Sequence, residues 1–230
     1  MFCSIFSDHI LNITSTELQM EQRKHGLSIY DETGMLILEV GPHVIREFPQ
    51  FAAGIGAIAA SWAQAEVNLY CLFAVLLNTT PEEAAKQIKK YGNAAKVTAG
   101  ARKVAADTLG GVELTSVTEA LDQLDNVRAR RNRIQHDVWA KMGTDDVRLF
   151  AVHSNEYLAF ATELTASNEL QKVNPTHAGR MINSALKFAE KISNGYTLED
   201  LRNIDLEINI ASKSLLQLMF SRIILRLADE

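Results

Sequence analysis

The chain has 230 residues, 47% of them hydrophobic and 22% charged, with a formal net charge of -5. That is the composition of an ordinary folded soluble protein, long enough for one large domain or two small ones. Its two cysteines, Cys3 and Cys71, lie far apart and supply neither a disulfide framework nor a zinc ligand set, which fits a reducing compartment.

The N-terminal "MFCSIFSDHILN" has no basic region ahead of its apolar residues and reaches Asp8 early, so it does not read as a signal peptide. From Leu27 to Val40, two β-favouring runs flank Asp31-Glu32-Thr33-Gly34, the composition of a hairpin turn. From about Phe51 to Leu77, Ile55, Ile58, Trp62, Leu69, Phe73 and Leu76 recur at the three-and-four spacing of a helical face. Gln64, Glu66 and Asn68 interrupt this run, which therefore lacks the roughly 18 unbroken apolar residues of a membrane span. Thr80-Pro81-Glu82-Glu83 reads as N-cap, first-turn proline and first-turn acids, opening a second helix that Gly92-Asn93 closes. A third helix covers Ala94 to Leu109. A fourth follows Gly110-Gly111, with Val117, Leu121, Leu124, Val127 and Ile134 as its apolar face.

Beyond His136, "DVWAKM" and "VRLFAV" flank Gly143-Thr144-Asp145-Asp146, a second hairpin pattern. Residues 155–195 mix a strand-like "YLAFATEL" with a helix-like "AGRMINSALKFAEKI", and periodicity does not choose between them. Thr197 and Asp200 resemble a capping box opening a last amphipathic helix through Leu201, Ile204, Ile208, Leu215, Leu218, Met219 and Ile223. The fold class is mainly α: four to five helices with one or two small β-hairpins. The whole chain, 1–230, reads as a single domain. Its N-terminal β-hairpin extension is 1–48, its helical core 50–140 with 196–228, and its β-hairpin and irregular insertion 141–195.

Two ionisable residues break the apolar stripes. Glu66 occupies a stripe position in the first helix, and Arg131 continues Val117, Leu121, Leu124 and Val127 in the fourth. A buried unpaired charge is costly, so either the two meet each other or a shared polar cleft, or Glu66 snorkels to water and Arg131 merely sits at the negative end of its helix. Between Ala84 and Ala106 there is no acid, but six bases: Lys86, Lys89, Lys90, Lys96, Arg102 and Lys103. With Arg128, Arg130, Arg131 and Arg133 these make ten of the chain's 23 basic residues. Such segregation suits a phosphate backbone, or is a set of solvated helix faces. His9, His25, His43, His153 and His177 fall at no metal-ligand spacing and are expected in loops or at the surface. No phosphate-binding glycine loop is present, and no cofactor or metal is expected.

"RNRIQH", Arg131 to His136, is arginine, a polar residue, three more residues and histidine at the end of a long helix. It resembles the arginine-four-residues-histidine motif of the HEPN superfamily, helical domains of prokaryotic toxin and defence systems. The resemblance extends more weakly to "SWAQAEVNLYCLFAVLL", "TTPEEAAKQI" and the last helix, and covers roughly residues 50–140 and 196–228. It implies a HEPN-like bundle whose arginine and histidine converge across a homodimer interface to cleave RNA without metal, through the substrate's own 2′-hydroxyl. Arg131, His136 and Asn132 are then the catalytic candidates. Glu66, Trp139 and Arg128 support them, and Arg130, Arg133, Lys86, Lys89 and Lys90 bind RNA.

The residues suit those roles. Histidine, with an unperturbed pKa of about 6.5, moves protons near neutrality. The arginine fork stabilises charge developing on phosphate. On a continuous helix Arg131 and His136 point about 140° apart, so either the helix ends before His136 or the pair works with its symmetry mate. The subset of the family with a modifiable tyrosine two residues after the histidine is not matched, since Val138 stands there. The function expected is a cytoplasmic, metal-independent endoribonuclease of toxin or phage-defence kind, with RNA or a nucleotide, a second copy and an antitoxin protein as partners and no membrane association. A HEPN domain that binds without cleaving, and a structural helical dimer, remain alternatives.

Overall fold

A computed structural model describes residues 26–143, 145–173, 178–192 and 195–229. Residues 1–25 of the expected N-terminal extension, with Cys3, His9 and His25, lie outside the described residues, as do Thr144, residues 174–177 with His177, residues 193–194 and Glu230. The chain forms two compact units, Met1–Ala52 with His136–Glu199 and Ala53–Gln135 with Asp200–Glu230.

The first unit is built on a sheet. Strands β1 (Leu27–Tyr30) and β2 (Leu36–Val40) pair antiparallel across the expected turn. Asp31 organises that turn: its Oδ1 accepts from the Thr33 backbone N–H at 2.8 Å, the Thr33 hydroxyl at 2.6 Å and the Met35 N–H at 2.9 Å. Gly34 supplies the left-handed residue, at φ 83°. Strands β3 (Val138–Met142) and β4 (Leu149–Val152) form the second hairpin, and β5 (Gly195–Tyr196) adds to β4.

The hairpins, expected as separate additions, are one five-stranded antiparallel sheet in the order β1-β2-β3-β4-β5, because β2 pairs with β3, Leu38 opposite Met142 and Val40 opposite Ala140. A lone two-stranded hairpin is marginal in water, and joining the edges satisfies a row of backbone groups.

Residues 155–195 correct the irregular insertion expected there. "YLAFATEL" lies in a helix, not a strand. The six-residue α1 (Pro42–Glu47) follows β2; α6 (Ser154–Val173) and α7 (Ala178–Lys191) cover the sheet. Phe160 and Leu164 of α6 and Met181, Ala185 and Phe188 of α7 share one core with Ile29, Leu38, Val40, Ala140, Phe150 and Val152. The Phe160 and Phe188 rings stack with centroids 4.0 Å apart. Tyr157, Phe160 and Leu164 carry the three-and-four spacing, but β-favouring neighbours and a short apolar run hide it in the sequence. His43 also departs from its expected exposed setting. It is buried on α1 with Nε2 3.0 Å from Glu39 Oε1, and that oxygen accepts a hydrogen bond from Ser28 Oγ at 3.0 Å.

The second unit is helical. It comprises most of α2 (Pro49–Leu77), with α3 (Pro81–Tyr91), α4 (Ala94–Thr108), α5 (Gly111–His136) and most of α8 (Leu198–Asp229). Eight helices thus stand among the described residues where four to five were expected; the chain is mainly helical with a small sheet. The capping signals act as their chemistry dictates. Thr80 Oγ1 accepts from Glu83 N–H ahead of Pro81, Gly92 ends α3 at φ 76°, and Asn93 Oδ1 accepts from Lys96 N–H at 3.0 Å to start α4. The core joins Ile58, Trp62, Leu69, Leu72, Phe73 and Leu76 of α2 to Val97 and Ala101 of α4, Leu121 and Leu124 of α5, and Ile204, Ile208 and Leu215 of α8. Hydrogen bonds fix the register of α2 against α8: the buried Asn68 Nδ2 donates to the Ser212 hydroxyl at 2.9 Å and to its carbonyl at 3.1 Å, and the half-buried Ser61 Oγ donates to Asp205 at 2.6 Å.

Among the described residues, two helices are by length and composition apolar enough to cross a bilayer, Pro49–Leu77 at a mean hydropathy of 1.3 and Leu198–Ala228 at 1.2. The polar interruptions in α2 do not bring its average below that of a span; its largest apolar side chains nevertheless make the core.

Candidate functional site

The motif occupies the last turns of α5. The apolar face Val117, Leu121, Leu124, Val127 and Ile134 is buried, and Arg131 sits at its edge, half-buried. Its guanidinium lies 5.1 Å from the ring centroid of Trp62, which is itself only 2% exposed. A cation held over an indole face is stabilised by about 0.5–2 kcal/mol, more as water is excluded. Arg131 Nη1 donates to Asn132 Oδ1 at 3.0 Å, while its Nε is buried without a hydrogen-bond partner. Burial lowers the proton affinity of the guanidinium, and the carboxylate of Glu66 opposes that shift. The same pattern touches Tyr70, whose phenol is pushed up by burial and then by Glu66. Trp62 and Glu66, four residues apart on α2, thus both bear on the Arg131 charge.

Asn132 and His136 are exposed, and His136 is the final residue of α5. The helix is unbroken through the motif, so Arg131 and His136 leave it about 140° apart. The alternative in which the helix ends before His136 is removed.

The neighbouring arginines meet acids. Arg128 pairs with Asp125, which also takes Arg102 Nη1 at 2.7 Å, while Arg102 Nη2 reaches Asp122 at 2.6 Å. Arg130 pairs with Glu207 of α8, and Lys86 lies 3.6 Å from Glu83. Arg133 is half-buried; Lys89 and Lys90 are exposed on α3. Trp139 belongs to the sheet of the first unit, 7% exposed with its ring edge-on to Tyr196 at 5.9 Å, and its carbonyl accepts from Gly41 N–H at 3.0 Å. Among the expected site residues the structure thus sets Asn132 against Arg131, with the Glu66 carboxylate bearing on the same charge. It places Arg128 and Arg130 in ion pairs and Trp139 in a packed sheet.

Sequence reasoning missed the partners that set these arginines. Trp62 was visible only as a stripe residue, and Asp122, Asp125 and Glu207 only as acids outside the basic segments. Asp125 lies three residues before Arg128, a helical spacing that signals its pair.

No protein-family model, curated protein or solved structure matches the chain.

Proposed function

We propose that the chain is a HEPN-like, metal-independent endoribonuclease of the toxin or defence kind, acting on RNA in the cytoplasm as a homodimer. The observation that carries this reading is the state of Arg131: a guanidinium seated on Trp62 and held by Asn132. Such a preorganised fork suits a phosphate whose charge grows during reaction. His136, exposed at the end of the same helix, supplies the proton acceptor. The substrate's 2′-hydroxyl gives its proton to the imidazole as its oxygen attacks phosphorus; the 5′-oxygen leaves and takes a proton from solvent, yielding a 2′,3′-cyclic phosphate. Because the two side chains diverge on one unbroken helix, Arg131 of one copy acts with His136 of a second.

A second reading, RNA binding without cleavage by a single copy, is favoured by the same divergence. The test is incubation of purified protein with single-stranded RNA and with DNA in EDTA. RNA alone should be cut, to cyclic-phosphate ends, and His136→Ala should slow cleavage by roughly 10² to 10⁴ with binding retained. Cleavage undiminished by His136→Ala defeats the mechanism, and tight binding with no cleavage transfers the protein to the second reading.

A further inference from the structure

Helix α8 has two apolar faces. One, through Leu201, Ile204, Ile208, Ala211 and Leu215, is buried in the helical unit. On the opposite side Leu206 is 57% exposed, Ile210 52%, Phe220 52%, Ile224 65% and Leu227 68%. With Lys213 and Gln217, these residues step alternately four and three positions from 206 to 227. A spacing of 3.5 keeps a stripe against a neighbouring helix over several turns and is the seam of a coiled pair.

The stripe is alike at its two ends. With an axis at Gln217, Ile210 and Ile224 lie seven residues to either side, Leu206 and Leu227 match to within one residue, and Lys213 falls opposite Phe220 within one residue. A two-fold axis brings each residue against its mirror, the requirement of an isologous contact. We propose that this face of α8 docks on the same face of a second copy, antiparallel, with the axis at Gln217. Apolar residues then meet at both ends, the Lys213 stem and ammonium lie over Phe220, and the Gln217 amide exchanges hydrogen bonds with its mate. A parallel pairing would instead set Lys213 against Lys213. At these exposures the five apolar side chains offer roughly 600 Å² per copy, so the pair buries about 1,200 Å², at the lower edge of stable interfaces. The dimer is accordingly reversible, with a Kd on the order of micromolar. A lipid surface fits the stripe less well, because Lys213 and Gln217 stand in its middle, where an interfacial helix needs its apolar face.

This contact does not depend on the ribonuclease reading. Glu207, which holds Arg130, adjoins Leu206, so antiparallel pairing leaves the two motif ends about 30 Å apart along the seam, and convergence of Arg131 with His136 needs a separate contact. In the absence of RNA, stripe variants therefore report on association through this face, and motif variants report on cleavage.

Sedimentation velocity of the full chain between about 1 and 100 μM should show a monomer–dimer equilibrium. Ile210→Glu with Ile224→Glu should abolish it while circular dichroism is unchanged, both sites being exposed. In a background of Cys3→Ser and Cys71→Ser, oxidation of mixed Leu206→Cys and Leu227→Cys proteins should give the mixed disulfide. A chain monomeric throughout overturns the proposal, whether its stripe is covered from within or pelleted by phospholipid vesicles. A dimer indifferent to the glutamates, or self-linking of Leu206→Cys alone, overturns it too.

Discussion

The seat of Arg131 on Trp62 is the contact on which the candidate site turns, and its strength can be isolated. Trp62 is buried, so removing it alone measures mostly lost packing: a truncation to alanine costs about 3–5 kcal/mol. A double-mutant cycle removes that background. Trp62→Leu keeps an apolar side chain but loses the π face, Arg131→Met keeps the stem but loses the charge, and the non-additivity of the pair is the interaction itself. The guanidinium is half-buried and 5.1 Å from the centroid, between the exposed and fully desolvated limits, so the expected coupling is about 1 kcal/mol. Urea unfolding of the four proteins, followed by circular dichroism, supplies it. Coupling below about 0.3 kcal/mol, the scatter of independent sites, would refute the claim that Trp62 holds the arginine electrostatically.

Two further outcomes are expected. Asp31 has its carboxyl held below the ordinary 3.8, chiefly by the Thr33 hydroxyl and then the Met35 N–H. A depressed folded value stabilises above the unfolded one and is lost as pH falls through the folded one. The stability gap between the wild type and Asp31→Ala should thus be constant above about pH 5 and close below pH 3.8 in unfolding titrations; a gap that widens on acidification contradicts this. Glu207→Gln should release Arg130 to phosphate, steepening the plot of log affinity against log salt for single-stranded RNA by about 0.7, read by fluorescence anisotropy; an unchanged slope denies Arg130 a place at the RNA.

What could be read in advance follows from where the information resides. Helices α2 to α5 and α8 were legible because their core faces repeat at a helical period and their ends carry local chemistry, as at Thr80, Gly92 and Asn93. The hairpins were legible for the same reason, with Asp31 and Gly34 in the turn. Their union into one sheet was not, since Val40 and Ala140 pair across five intervening helices, and that pairing is set by shape and burial rather than by sequence neighbours. Helix α6 failed because Tyr157, Phe160 and Leu164 lie among residues that suit a buried strand equally well. At the site, the interruption of two apolar stripes at Glu66 and Arg131 left two readings open, charges that meet or charges at the stripe edge; both side chains are half-buried, and the carboxylate opposes the burial-driven shift of the guanidinium. Trp62 as the platform between them was not legible, because the rotation of α2 against α5 is a property of packing.

The concentration of arginines that draws attention in the sequence is also dispersed by the helix that carries it. Successive positions on α5 turn by about 100°, so Arg128, Arg130 and Arg131 leave in different directions and meet different surroundings. Arg128 turns to Asp125, Arg130 to Glu207 and Arg131 to an indole. A dense run of positive charge in one dimension is therefore not a dense positive surface in three. The exposed cations of the acid-free stretch, Lys89, Lys90, Lys96 and Lys103, lie on α3 and α4 instead. An RNA strand attracted to this protein would be steered by those lysines through long-range, salt-screened forces, while Arg131, half-buried and singly oriented, would act at short range on one phosphate. Attraction and chemistry would then fall to different helices, which is why substituting the lysines should weaken binding without touching the step at phosphorus.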